Sequence, residues 1–378
     1  GLETESIEVD HDQKTIVPKG QTNLINQMFA GWYTDQSFET LFNSNLLIEQ
    51  DITLYAKWNK VDTTGTYQLA TCDHNGLNPY SIDACELSIL LTDTLYASDY
   101  DWEEARQILI DEGFVNVPET IGFNEWYNAG KSASEIPSGF FPQMTTSKPE
   151  LQDEEGKVWR ITLREDLEFE DGTTIDANTF DYSWRMLLDP LFQNPYAVFL
   201  TMFVPLVNAE AYQEQDVTNE LELIDWDEVG FKVISQYTFE LTLSDGLTQI
   251  DLMNLFTNVN TGIVHQVQYE AGMNAERTQT TYGQITNPLI SYGPYIMSEW
   301  SEGEYFHYVL NQDHHAVSDY LISNIRYNIY PNINDVYALN SAFNDGSLDS
   351  VPIISNLIYD TDLSQMKMSP NTTLYRLS

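Results

Sequence analysis

The chain has 378 residues, 42% hydrophobic and 13% aromatic, so it is long and apolar enough for two or three packed domains. Its 58 Asp and Glu outnumber 16 Lys and Arg, and the formal net charge is −42. Such a chain repels phosphate backbones and anionic lipid headgroups, which excludes nucleic acid as a first-choice partner. No run reaches the roughly 18 apolar residues of a membrane-spanning helix. Both ends look cut and no signal-peptide pattern is present, so we expect a segment of a longer protein.

The first 60 residues have the pattern of a small β-rich domain. Residues 51–58 (DITLYAKW) alternate apolar and other side chains, which predicts a half-buried strand. Residues 16–20 (IVPKG) predict a strand end followed by a turn. The short polar segment 62–65 predicts a linker, so we place the first domain at residues 1–61.

The residue motifs of this domain indicate a particular family, which the alternation of apolar residues alone does not. The sequence GWYTD at 31–35, followed after a gap by DITLYAKW at 51–58, resembles the internalin-type B repeat, also called the Listeria-Bacteroides repeat. That repeat is a β-grasp-like module of bacterial surface proteins. The resemblance covers about residues 16–60 and implies an extracellular spacer or adhesive module that contacts the cell wall or a host surface.

From residue 66 onward, strands and helices alternate without regular βαβ order, which predicts a mixed α/β architecture of more than one lobe. Asp176 is a predicted helix N-cap, Pro190 ends that helix, and the stripe through Trp184 is expected to be core. Residues 115–150 predict an irregular surface insertion. Alternation predicts strands at 67–70, 158–164, 229–243 (a hairpin), 305–310 and 325–330, and apolar spacing predicts helices at 85–96, 176–188 and 336–343.

Four blocks in this part of the chain resemble one family. They are residues 159–190, with DGT at 171–173 and SW at 183–184, then 229–243, the turn SYGPY at 291–295, and 325–349. In this order and spacing they are similar to the family 5 extracellular solute-binding proteins, the peptide-binding receptors of ABC importers. The resemblance covers about residues 66–378, and the segment from roughly 115 to 150 departs from it.

The resemblance implies a periplasmic-binding-protein-like fold of two lobes that close on a ligand by a hinge motion. The first lobe would be residues 66–289 with an inserted β subdomain, and residues 290–378 would begin an incomplete second lobe. The family usually has Gly where Ser98 stands, and its acidic partner for the peptide amino group lies beyond residue 378. The ligand contacts that the resemblance implies are a strand that pairs with peptide main chain, Tyr96, Ala97, Ser98 and Asp99, and a turn beside the cleft, Ser291, Tyr292 and Gly293.

These observations predict a non-catalytic binding protein. It would bind an oligopeptide outside the bacterial cell, anchored to the membrane or wall, and deliver it to an ABC transporter permease. The alternative is a surface or adhesion protein that keeps the receptor fold without a working cleft. Nothing positive supports a third hypothesis, a hydrolase that uses a carboxylate pair, because adjacent acids are expected by chance in so acidic a chain.

No residue pattern points to a cofactor or a metal. His314 and His315 follow Asp313, but neighbouring residues of a strand face opposite sides, so we expect a polar surface loop there. Cys72 and Cys85 would gain about 3 kcal/mol from a disulfide in a secreted context, and two free, partly buried thiols are the equal alternative.

Overall fold

The computed structural model describes residues 6–17, 27–60, 65–73, 76–80, 86–218 and 223–350. Within these ranges, no helix combines the length and the apolar character that crossing a bilayer requires. The chain divides into two compact units. The first unit combines the described residues before 61 with Asp99–Gly139, and the second combines the described residues of 65–98 and 140–350.

The described strands are short, and most are five to seven residues long. They are β1 Lys14–Thr15, β2 Gln27–Tyr33, β3 Tyr55–Lys60, β4 Thr66–Thr71, β5 Tyr96–Tyr100, β6 Phe114–Val115, β7 Ser138–Pro142, β8 Glu150–Leu151, β9 Val158–Thr162, β10 Phe231–Ser235, β11 Thr238–Thr242, β12 Tyr295–Ser301, β13 Tyr305–Leu310 and β14 Asn324–Ile329.

The described α-helices are likewise short. They are α1 Trp102–Asp111, α2 Phe123–Asn128, α3 Ala177–Leu187, α4 Ala209–Glu214, α5 Gln249–Leu255, α6 Gln266–Ala271 and α7 Val336–Asn344. A π-helical turn covers Phe199–Phe203, and 3₁₀ turns cover Glu86–Leu90, Ala133–Glu135, Pro195–Ala197, Trp226–Glu228, Val259–Thr261 and Val317–Asp319.

The first unit joins two distant parts of the sequence around one core. Strand β1 pairs in parallel with β6, so that Lys14 lies opposite Phe114, while β2 and β3 form a separate antiparallel pair. Ile16 is fully buried with side chains of α1 and α2, including Trp126. The irregular surface insertion predicted at 115–150 is therefore wrong in part, because this segment supplies a helix and core residues. Elements of six residues or fewer are too short to show a period in the sequence.

The second unit contains two four-stranded sheets. One has the order β10-β11-β9-β8, and the other has the order β12-β13-β14-β4, in which β14 runs parallel to β4. Strands before and after residue 290 thus share one sheet, and the predicted lobe boundary at 290 lies inside this unit.

The predicted core around Trp184 is confirmed. Its side chain is fully buried, its ring stacks on Phe256 with centroids 5.5 Å apart, and its Nε1 donates to the carbonyl of Thr261 at 2.8 Å. Helix α3 begins as predicted, because the Asp176 carboxylate accepts from the backbone N–H groups of Asn178 and Thr179. The remaining strands and helices after residue 150 lie close to their predicted positions.

The helix predicted at 85–96 is wrong. The described part of this segment forms only a 3₁₀ turn over Glu86–Leu90, and strand β5 begins at Tyr96. Of the leucines that suggested a helical stripe, Leu87, Leu91 and Leu95 are buried and Leu90 is partly buried, but they reach the core from a tight turn and an extended run. Spacing alone does not separate these conformations over so few turns.

Replacing Ile16 tests whether the two parts of the first unit fold together. We expect Ile16→Ala to lower the free energy of unfolding of this unit by about 2–5 kcal/mol, because it empties a fully buried position. The measurement is urea unfolding, together with hydrogen exchange of amides in 99–139. Ile7→Ala is the matched control, since Ile7 is 43% exposed. Unchanged exchange in 99–139 would contradict the shared core.

Candidate ligand-binding site

Strand β5 holds the four residues predicted to pair with a peptide main chain. The side chain of Tyr96 is fully buried, and its hydroxyl donates to the carbonyl of Ser147 at 3.3 Å. Ala97 is half-buried, while Ser98 and Asp99 are exposed. Among the described residues, β7 is the one strand paired with β5. The other edge of β5 therefore has main-chain groups without a neighbouring strand of the described structure.

The predicted turn at Ser291–Gly293 is buried and bonded to the segment before β5. The backbone N–H groups of Tyr292 and Gly293 both donate to the carbonyl of Leu91, at 2.9 and 3.0 Å. A Cβ atom added to Gly293 would lie 2.4 Å from the backbone nitrogen of Thr92, so only glycine fits this approach. The side chains of Ser291 and Tyr292 are also buried. In this conformation the turn supports the strand, and its side chains do not face solvent.

A buried polar network that the sequence did not predict lies between the same segment and the loop after β13. The Nε2 atoms of His314 and His315 lie 2.8 and 2.9 Å from one oxygen of the Asp93 carboxylate. Gln143 donates to the other carboxylate oxygen at 2.8 Å. The expectation that the two histidines face opposite sides on a surface loop is wrong, because they follow β13 in a turn and not in a strand.

The geometry of this network fits hydrogen bonds from the histidines to Asp93 better than a bound metal ion. The backbone N–H of Ala316 donates to Nδ1 of His314 at 3.2 Å, so the proton of the neutral ring lies on Nε2 and points to Asp93. A metal ligand normally binds through one ring nitrogen and donates a proton from the other. Burial alone would raise the pKa of Asp93, but the hydrogen bonds from both histidines outweigh it and hold that pKa below its usual value.

The Asp171–Thr173 turn is confirmed as a structural turn. The carboxylate of Asp171 accepts from the N–H of Thr173 at 2.9 Å, and Nε2 of His265 lies 3.2 Å from the other carboxylate oxygen. His265 also caps α6, because its Nδ1 accepts from the N–H of Gln268 at 3.2 Å. Next to this turn, Glu170 is exposed as a residue, but partial desolvation of its carboxyl raises the pKa of Glu170 to about 7, and the charge of Asp171 adds to the shift.

A cavity of about 490 Å³ lies beside the C-terminal end of α3. One ion pair lies in its wall: Arg277 donates to both oxygens of Glu270 at 2.7 and 2.9 Å, and the hydroxyl of Tyr182 donates to the same carboxylate at 2.8 Å. This network satisfies Arg277, Glu270 and Tyr182, so we assign these three side chains a structural role.

The predicted disulfide stays a prediction. Cys72 is exposed, and Cys85 lies outside the described residues.

Comparison with known proteins identifies the family. Residues 139–376 match the sequence profile of the bacterial extracellular solute-binding proteins, family 5. The chain belongs to this family. Residues 2–57 match the Listeria-Bacteroides repeat domain. Both predicted resemblances are thereby confirmed, and residues 58–138 lie outside both matched ranges.

The relatives of this solute-binding protein are longer than the chain. Over 89 residues it is 35% identical to the periplasmic oligopeptide-binding protein OppA of Salmonella typhimurium, which covers 24% of the chain and 15% of that protein. Over 147 residues it is 27% identical to the periplasmic murein peptide-binding protein MppA of Escherichia coli, which covers 38% of the chain and 24% of that protein.

Solved structures confirm the predicted fold class. A structure titled Listeria monocytogenes OppA bound to peptide matches with a TM-score of 0.56 at 17% identity, over 81% of this chain and 48% of that one. A structure of the pheromone receptor PrgZ matches with the same TM-score and identity, over 81% of this chain and 49% of that one. The solute-binding protein described here thus spans about half of each neighbour and shares the mixed α/β fold of these two-lobe proteins.

The Asp93 network gives the protein a pH-dependent stability. We expect Asp93→Asn to lower the free energy of unfolding at pH 7 by about 2–3 kcal/mol, because charged hydrogen bonds to two histidines are lost. Since the folded pKa of Asp93 is depressed, its contribution is complete above the unfolded pKa of about 3.9 and is lost as the pH falls through the folded pKa. The difference between wild type and variant should therefore shrink below about pH 4.

The measurement is urea unfolding of both proteins from pH 7 to pH 3. The opposite contribution of Glu170, which weakens the fold as the pH rises toward 7, cancels in the difference. Asp313→Asn is the control, because Asp313 is exposed. Nitrogen-15 NMR should show His314 protonated at Nε2, and Zn²⁺ should leave the midpoint unchanged. If the urea concentration at half unfolding rises with Zn²⁺, these residues bind a metal ion and the proton network is wrong.

Proposed function

We propose that this chain is part of a surface receptor that binds oligopeptides outside the cell and delivers them to the permease of an ABC importer. Membership of the solute-binding family supports a binding role without a chemical step. The curated relatives are named for oligopeptides and for murein peptides. The repeat domain would then act as a spacer at the membrane or cell wall to which the receptor is anchored, where it would contact the wall or a host surface.

The observation that carries this proposal is the exposed edge of β5. The main-chain groups of successive strand residues alternate between the two edges, so Ser98 presents its N–H and C=O on the side away from β7, whereas those of Ala97 and Asp99 face β7. An extended peptide that adds a strand there would bind through groups that every peptide has, which suits a receptor of broad specificity. Tyr96 and the turn at Ser291–Gly293 would fix this strand from behind.

One observation favours a second function. Residues 58–138, which include β5, match neither family profile, and the chain carries a repeat of surface proteins at its start. A surface or adhesion protein could keep the receptor fold without a working cleft. The two functions differ in whether peptides bind at all.

Main-chain pairing gives a direct test with modified peptides. We expect calorimetry of the full chain against mixed dipeptides to octapeptides to find at least one ligand with a micromolar or lower Kd. N-methylation of an amide that pairs with β5 should weaken that ligand about tenfold, because one hydrogen bond of roughly 1.4 kcal/mol is lost.

The neighbouring amide of the same peptide supplies the control. Successive N–H groups of an extended strand point to opposite sides, so N-methylation one residue along should change the Kd little. If N-methylation of every amide weakened binding equally, strand pairing would be contradicted but peptide binding would stand. No binding by any peptide length would favour the adhesion protein.

A further inference from the structure

Four aromatic side chains of the first unit meet at its surface. Ring centroids of Trp102 and Phe123 are 5.0 Å apart, those of Tyr100 and Phe123 are 5.3 Å apart, and those of Phe123 and Tyr127 are 5.8 Å apart. Phe123 and Tyr127 are each 45% exposed, and Tyr100 is 36% exposed. We call Tyr100, Trp102, Phe123 and Tyr127 the aromatic cluster.

The core of the unit does not require these rings to meet. Helix α2 sends Trp126 into the core, where it is fully buried, while Phe123 and Tyr127 remain on the exposed side of the same helix. Helix α1 likewise has a buried side, which holds Ala105 and Leu109. A contiguous exposed patch of large apolar side chains usually marks a binding surface.

The charge of the segment favours a cationic ligand. Residues 99–139 contain nine acids and two cations. Both cations are engaged elsewhere: Lys131 pairs with Glu112 at 2.6 Å, and the guanidinium of Arg106 donates to the carbonyl of Pro118. Asp99, Asp101 and the first turn of α1 bring carboxylates next to the cluster in the sequence. Aromatic faces beside carboxylates attract an ammonium or guanidinium group.

The same unit already uses this interaction on other rings. The ammonium group of Lys14 lies 5.1 Å from the ring centre of Phe114, and that of Lys131 lies 5.2 Å from the ring of Trp126. Three rings of the aromatic cluster, those of Tyr100, Phe123 and Tyr127, are exposed and can receive a cation from another molecule. Anionic lipid and nucleic acid are repelled by the net negative charge of residues 99–139.

We propose that the aromatic cluster binds Lys and Arg side chains of basic oligopeptides, so that this receptor selects cationic ligands. The inference rests on the proposed peptide-binding function and adds the class of peptide. The cluster lies between the matched ranges 2–57 and 139–376, so neither family profile assigns this surface.

The test compares hexapeptides of arginine, glutamate and alanine by calorimetry and by tryptophan fluorescence. The arginine peptide should bind at least tenfold more tightly than the alanine peptide, with an affinity that falls as salt is raised. Phe123→Ala and Tyr127→Ala should each weaken the arginine peptide about two- to fivefold, which is the range for one exposed cation–π contact.

Matched variants separate binding from folding. Phe203→Ala removes the same side chain at the same 45% exposure in the second unit and should leave the affinity unchanged. Phe123→Tyr and Tyr127→Phe keep the rings and should bind as wild type does. Circular dichroism of every variant checks that it has folded.

Each outcome decides the inference. Unchanged binding of the arginine peptide by Phe123→Ala and Tyr127→Ala would overturn it while peptide binding stands. Tighter binding of a neutral oligosaccharide than of the arginine peptide, lost in the same variants, would reassign the cluster to sugars. Binding of no peptide of any charge or length would overturn the proposed function as well.

Discussion

The candidate site depends on hydrogen bonds that converge on the segment just before strand β5. The carbonyl of Leu91 accepts two backbone N–H groups from the turn at Ser291–Gly293, and Asp93 accepts from two histidines of the loop after β13. The side-chain amide oxygen of Gln143, the residue directly after β7, accepts from the backbone N–H and the hydroxyl of Thr94. Three regions far apart in sequence thus fix one short extended run. Because the run leads directly into β5, its rigidity sets the position of the exposed edge, and preorganisation of that edge lowers the entropic cost of binding a peptide.

The chain crosses between its two units next to this fixed run, at Ser98–Asp99 and again at Gly139–Phe140. Residues 99–139 leave the second unit and share a core with the N-terminal segment, through Ile16 and Trp126. A repeat domain that shares its core with residues far away in the sequence is more than a flexible spacer. Its stability and that of the inserted segment are coupled, since each supplies part of the same buried apolar surface.

The sequence predicts those elements whose signals are local, and misses those that depend on distant partners. Asp176 caps α3 and Pro190 follows its end, so both limits could be found from neighbouring residues alone. The insertion looked irregular because its core partner, Ile16, lies about 100 residues earlier. Asp93 and the two histidines are 221 and 222 residues apart, and one sequence carries no signal of that contact. The aromatic cluster had a signal, because its four residues are among six aromatic residues that stand among acids at 99–127.

Charge and aromatic contacts act at different ranges in the proposed selection of ligands. With 58 acids against 16 cations, the whole surface attracts a basic peptide and speeds its encounter, but such a field does not distinguish one binding position from another. Carboxylates in the described structure hold several of the chain's own cations, as in the pairs of Arg160 with Glu240 and Arg277 with Glu270. A ring face discriminates at contact distance, because it attracts a cation only within about 6 Å of its centre. The edge of β5 would supply affinity common to all peptides, and the aromatic cluster would supply preference among them.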